Sequence, residues 1–148
     1  MNKLFTLLLV PFLFIFACGG DINEEAISSN IKELVELCAK DFENADITSF
    51  VNRGTEDLIF FTLDGKSLNK EDTKKTLQPM FERWENRKMK IEDLEIFVNK
   101  NISWARYKST FTFDSQYGRT EMISLNTIIF QMDQNQNWKL HHFHMSRY

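Results

Sequence analysis

Trp138-Lys139-Leu140-His141-His142-Phe143-His144-Met145-Ser146-Arg147-Tyr148 is the stretch on which the fold turns. Read with the two-residue period of a strand, it puts Trp138, Leu140, His142, His144 and Ser146 on one face. An apolar start leads into two histidines and a hydroxyl that point the same way. All three histidines of the chain lie here, with His141 on the opposite face. An imidazole titrates near neutrality and can give or take a proton, so His142 and His144 are the candidate catalytic groups. Arg106, Tyr107, Lys108 and Ser146 are their candidate partners. The plainer reading is that both histidines hydrogen-bond within the sheet and help close it, and this reading is preferred. The same pair at i, i+2 could chelate. No cysteine or carboxylate cluster lies nearby in sequence to complete a shell, so neither a metal nor a cofactor is expected.

Upstream of that strand the chain reads as a meander. Ile91 to Val98 is a strand, Asn99-Lys100-Asn101 a turn, and Ile102 to Asp114 a long strand. Its alternation sorts Trp104, Arg106, Lys108, Thr110 and Thr112 onto one face, and Ala105, Tyr107, Phe111 and Phe113 onto the other. Ser115 to Gly118 turn the chain, Thr120 to Met132 form another long strand, and Asp133 to Asn137 a polar turn. Four consecutive strands with short turns make an antiparallel meander.

The first half is different. Ile27, Ile31, Leu34, Cys38 and Phe42 recur at helical spacing, the stripe of an amphipathic helix from about 24 to 44. Cys38 falls on that stripe and reads as a buried structural thiol. Asp46 is placed to cap a short helix, Ile47 to Val51. Gly54 breaks the pattern, Leu58 to Leu63 is a compact β-type run, and Asp64-Gly65 is a strong turn signal. Asn69 caps a third helix whose buried stripe is Leu77, Met80, Phe81 and Trp84. Pro79 inside that stripe predicts a kink, or a helix in two pieces, near Gln78. Helices, a short hairpin, one helix and then four long strands make an α+β plan, with helices on one face of a curved sheet.

This order resembles the nuclear transport factor 2-like superfamily, and within it the SnoaL-like branch, which includes the association domain of calcium/calmodulin-dependent kinase. That branch often ends in a strand of the form W-K-I-x-H-x-H-x-S. Trp138, Lys139, Leu140, His142, His144 and Ser146 occupy those places, with leucine for isoleucine the only change. The family's apolar-x-Trp pattern is matched by Ile102-Ser103-Trp104, and a basic residue opening the penultimate strand by Arg119. The resemblance covers about residues 24–148. It implies a cone in which N-terminal helices pack on a strongly curved antiparallel sheet, leaving an apolar pocket at the open end. It implies a pocket wall including Trp104, Arg106, Trp138, His142, His144 and Ser146. It also implies a homodimer through the outer sheet face. On the residues alone, Trp104 and Trp138 read equally as sheet core. Arg106 and Arg119 either hold a ligand carboxylate or pair with Glu95 or Glu121 across strands. Relatives include cyclases, isomerases, dehydratases and non-catalytic modules, so the fold alone selects no function. The leading expectation is non-catalytic binding of a small apolar or mixed molecule. The alternatives are a dehydratase, isomerase or cyclase working through His142 or His144, and an assembly module without a ligand.

The other end of the chain speaks to compartment. Leu4 to Ala17 is an apolar run broken only by Thr6 and Pro11. As a helix it would reach about 21 Å, too short for a hydrocarbon core of about 30 Å. Its length suits a secretory h-region. Ile15-Phe16-Ala17-Cys18 resembles a bacterial lipobox, with Phe16 bulkier than the usual residue at its place. The resemblance implies a signal peptide over 1–17, lipidation of Cys18, a tether over 18–23 and a domain over 24–148. An ordinary signal peptide cut near Gly20 would instead discard Cys18. Gly19, where an aspartate would favour retention at the inner membrane, implies a lipid-anchored protein of the bacterial envelope, at the outer membrane. The net charge of −3 and the absence of any basic block exclude nucleic acid as an expected partner.

Overall fold

A computed structural model describes residues 23–148. The expected signal segment 1–17 and the expected lipidation site Cys18 lie outside the described residues. Helix α1 (Glu24–Glu43) opens on Asn23, whose side chain accepts from the Ala26 amide. Its apolar stripe buries Ile31, Val35, Cys38 and Phe42. Helix α2 (Ile47–Asn52) is capped by Asp46, which accepts from the Ser49 amide at 2.9 Å. Arg53, just after α2, grips the buried Asp41 of α1 with two bonds of 2.6 and 3.0 Å, fixing one helix against the other.

Strands β1 (Gly54–Phe61) and β2 (Ser67–Asn69) form a hairpin. Its turn carries Gly65 at φ +82°, the left-handed backbone that glycine adopts without strain. Helix α2 has ended by Gly54, as expected, and Gly54 itself opens β1. A Cβ there would stand 2.6 Å from Leu58 Cδ2, and Leu58 is fully buried. Helix α3 (Lys70–Glu82) runs through Pro79 in one piece. The expected helix in two pieces does not occur. Pro79 has no N–H to give the carbonyl of Lys75, one turn back, and the helix assignment continues across that single missing bond.

Strands β3 (Glu85–Phe97), β4 (Ile102–Ser115), β5 (Gly118–Met132) and β6 (Trp138–Arg147) complete one six-stranded sheet of order β2-β1-β6-β5-β4-β3. Strand β3 begins six residues earlier than its hydropathy suggests. Asn86 and Asp93 take positive φ beside two register shifts, and these bulges break the alternation that would reveal the strand. The β1–β6 pairing is parallel and joins the hairpin to the meander. Helices cover the concave face, where Phe42, Phe50, Phe60 and Phe143 pack with ring centroids 4.6–6.3 Å apart. The observed architecture is the expected α+β cone.

Candidate functional site

The inner face of the sheet is built from rungs of cross-strand partners. Ala105, Ile128 and Phe143 form one, Tyr107, Asn126 and Met145 the next, and Ser109, Ser124 and Arg147 a third. In the first rung Ala105 and Ile128 are sealed beneath the helices. Phe143 and the other two rungs face a cavity of about 320 Å³ between the sheet, α3 and the β1–β2 turn. Phe81, Trp84 and Phe111 wall it, joined by Met80, Met89, Met122 and Met145, four of the chain's six methionines. Its size lies in the range of small-molecule pockets.

One closed polar group interrupts that apolar lining. Asn126 Nδ2 donates to Ser109 Oγ at 2.9 Å, the Ser109 and Ser124 hydroxyls are 2.9 Å apart, and Ser124 Oγ donates to Asn126 Oδ1 at 3.3 Å. All three residues are buried. Because each side chain can both donate and accept, the ring satisfies itself. Tyr107 lies beside it, and burial pushes its phenol well above the ordinary value. At the mouth, the Lys66 ammonium and the Thr62 hydroxyl hold the Asp64 carboxyl down at about 2. Asp64 and Lys66 are 2.7 Å apart. Arg147 stands exposed at the rim and makes no ion pair among the described residues.

The residues expected to line the pocket are elsewhere. Leu140 pairs with Phe130 while His142 pairs with Ile129, so His141 is an extra residue, a β-bulge. One inserted residue reverses every side chain after it. Trp138 and Leu140 point inward as expected, but His142, His144 and Ser146 point outward. Phe143, Met145 and Arg147 take the inner face instead. His142 and His144 pack on the ring of Phe61, at 5.0 and 5.9 Å. Burial pulls the His142 imidazole below its ordinary value, and His144 and His141 add to that. His141 Nδ1 is 3.4 Å from both Thr55 Oγ1 and Asp57 Oδ1. Ser146 Oγ donates to the Leu125 carbonyl at 3.4 Å.

Trp104 and Arg106 are also on the outer face. Trp104 stacks on Phe97 at 5.2 Å, and Arg106 donates to Glu95 at 2.7 and 3.1 Å, the cross-strand pairing weighed above. Arg119 pairs with Asp114 at 3.1 Å. Trp138 is inward but lies at the other end of the sheet, beside Leu34, Ser49 and Arg53. None of the six expected pocket residues borders the large cavity. Among the described residues, no group of three or more His, Cys, Asp or Glu side chains is placed to hold a metal ion. The ring residues were legible only as polar positions inside inward rows: Ser109 between Tyr107 and Phe111, and Ser124 and Asn126 between Met122 and Ile128.

The SnoaL-like domain family model matches residues 31–148. The chain belongs to this family. The SnoaL-like domain is similar in fold to a proposed dehydratase of the nuclear transport factor 2-like family from Streptomyces avermitilis. They share a TM-score of 0.76 at 10% identity over 84% of this chain and 98% of that one. A nuclear transport factor 2-like superfamily protein from Salmonella enterica gives 0.75 at 15% identity over 83% and 92%. A Catenulispora acidiphila protein solved in complex with S-DNPA gives 0.71 at 12% over 83% and 94%. No curated protein matches.

Proposed function

We propose that this SnoaL-like domain binds a small molecule, largely apolar with one polar end, in the cavity beneath α3, and that it does so without catalysis. The observation that carries this reading is the cavity itself, about 320 Å³ walled by aromatic and methionine side chains around a single buried polar ring. Methionine is unbranched and polarizable, so four of them give a wall that adapts to the shape of its guest. The Catenulispora neighbour, of the same fold, was solved in complex with S-DNPA. The lining includes no histidine, and its one carboxylate, Asp64, is held low by Lys66. It therefore offers no group poised near neutrality for proton transfer. His142 and His144 lie across the sheet from it, which removes the support for a histidine-driven dehydratase, isomerase or cyclase.

The reading includes the setting inferred from sequence: a lipid anchor on Cys18 at the bacterial outer membrane, and a homodimer through the outer sheet face. Ile102, Trp104, Ile123 and Leu125, all at least 36% exposed on that face, support the pairing.

Native mass spectrometry of the whole chain purified from its own host tests the binding role. A co-purified small molecule should be present, and should be lost in Thr76→Trp, which plugs the mouth from an exposed position on α3. An adduct that survives the plug would place binding elsewhere and overturn the reading.

A further inference from the structure

The rung Ser109–Ser124–Arg147 crosses three strands and ends at the cavity mouth. We infer that it is an anion seat, so that the ligand of this domain is an amphiphile with a single carboxylate-like group: apolar body on the aromatic and methionine wall, anionic end on this rung. The inference rests on the cavity being a binding site and specifies what it takes.

Charge and donor geometry both lead there. The mouth carries three charged side chains: Asp64, Lys66 and Arg147. Asp64 and Lys66 neutralise each other at 2.7 Å, and a second donor, the Thr62 hydroxyl, also holds Asp64. Arg147 is left as the net charge of the rim, and it is positive. A cationic guest would find its only counter-ion already engaged. Arg147 is not a stray surface arginine, because its Cα partner across the sheet is Ser124, an inward residue of the polar ring. Arg147 therefore shares one rung of the inner face with Ser109 and Ser124, two of the three ring residues.

The ring can supply one hydrogen bond and still leave each of its side chains with a partner. Ser124 Oγ gives its one hydrogen to Asn126 Oδ1, which leaves the Ser109 hydroxyl to donate across the 2.9 Å to Ser124 Oγ. An incoming oxyanion can take that hydrogen, while Asn126 Nδ2 continues to donate to Ser109 and Ser124 to Asn126 Oδ1. A charged acceptor on an oriented hydroxyl and a guanidinium makes the stronger, charge-assisted class of bond. A neutral guest gains only the apolar wall.

The test uses two fluorescent probes with one skeleton: N-phenyl-1-naphthylamine, which is neutral, and 1-anilinonaphthalene-8-sulfonate, which adds an anionic group. Each is titrated into the whole chain, and cavity binding is taken as the signal removed by Thr76→Trp. The sulfonate probe should bind about tenfold tighter than the neutral one, and the preference should shrink as salt rises, since the rim is open to screening. Arg147→Gln should weaken the sulfonate probe about tenfold and the neutral probe less than twofold, and Arg147→Lys should recover most of the loss. If neither probe responds to Thr76→Trp, the cavity reading itself falls. If both respond but bind equally, or if Arg147→Gln weakens both alike, the cavity stands as a binding site and the anion seat is wrong.

Discussion

Strands β4 and β6 carry the same kind of alternating sequence, and only one of them keeps it in space. Along β4, Ser103, Ala105, Tyr107, Ser109, Phe111 and Phe113 are all buried, and the residues between them face out or lie at the margin. Along β6 the row runs Trp138, Leu140, then Phe143, because His141 is inserted without a partner on β5. A period identifies a strand in either case. It identifies a face only while the count of residues stays in step with the pleat. The family-like terminal motif marks the fold correctly, yet half of it lies on the opposite side of the sheet from the half that precedes the bulge.

Single-residue deletions would break this comparison most sharply. Removing Lys108 from β4 should reverse Ser109, Phe111 and Phe113 together and abolish cooperative unfolding by circular dichroism. Removing His141 from β6 should leave a folded protein, destabilised by about 1–3 kcal/mol, since inward and outward residues on both sides keep their faces. Equal damage from the two would show that His141 is not a bulge. Next in size is the contrast within β6. Leu140→Ala, at a fully buried position, should cost about 2–5 kcal/mol in urea unfolding. His142→Ala, which loses its packing on Phe61, should cost about 1 kcal/mol or less.

A third test uses pH. The folded-state value of His142 is depressed from 6.5, so the unfolded chain takes up that proton first. Its contribution is constant above 6.5, and stability falls as pH drops below it. His142→Gln should lessen that acid-side loss of melting temperature; an unchanged pH profile would sink the assignment. The smallest effect belongs to the outer face of β4. Arg106 and Glu95 are both more than half exposed, so a double-mutant cycle should give a coupling below about 1 kcal/mol.

What could be read beforehand divides along the same line. The α1 stripe, the Asp46 cap and the two faces of β4 follow periods that nothing interrupts, and local patterning was enough to recover them. The onset of β3 was hidden because Asn86 and Asp93 bulge out of the ladder at positive φ. Gly54 ends the helical pattern as its sequence suggests, but its close packing against Leu58 is visible only in the fold. Pro79 does not split α3 in two, because one missing backbone bond does not end a helix that the surrounding packing holds. For the site, Tyr107 does border the cavity, but the histidines expected beside it lie across the sheet. Ser109, Ser124 and Asn126 escaped notice because three short polar residues on two strands mean little until register puts them side by side.

The position of β6 in the sheet has a consequence in time. It is the sixth strand in sequence yet lies between β1 and β5. During synthesis, β3, β4 and β5 can pair as they emerge, while β1 and β2 must wait with one edge of their hairpin open. The parallel seam closes only once β6 has been made, by a contact between residues far apart in the chain, the slow kind of step in folding. Until then the cavity has no third wall and Arg147 no place beside Ser124, so the same strand that completes the barrier to water is the one that finishes the pocket.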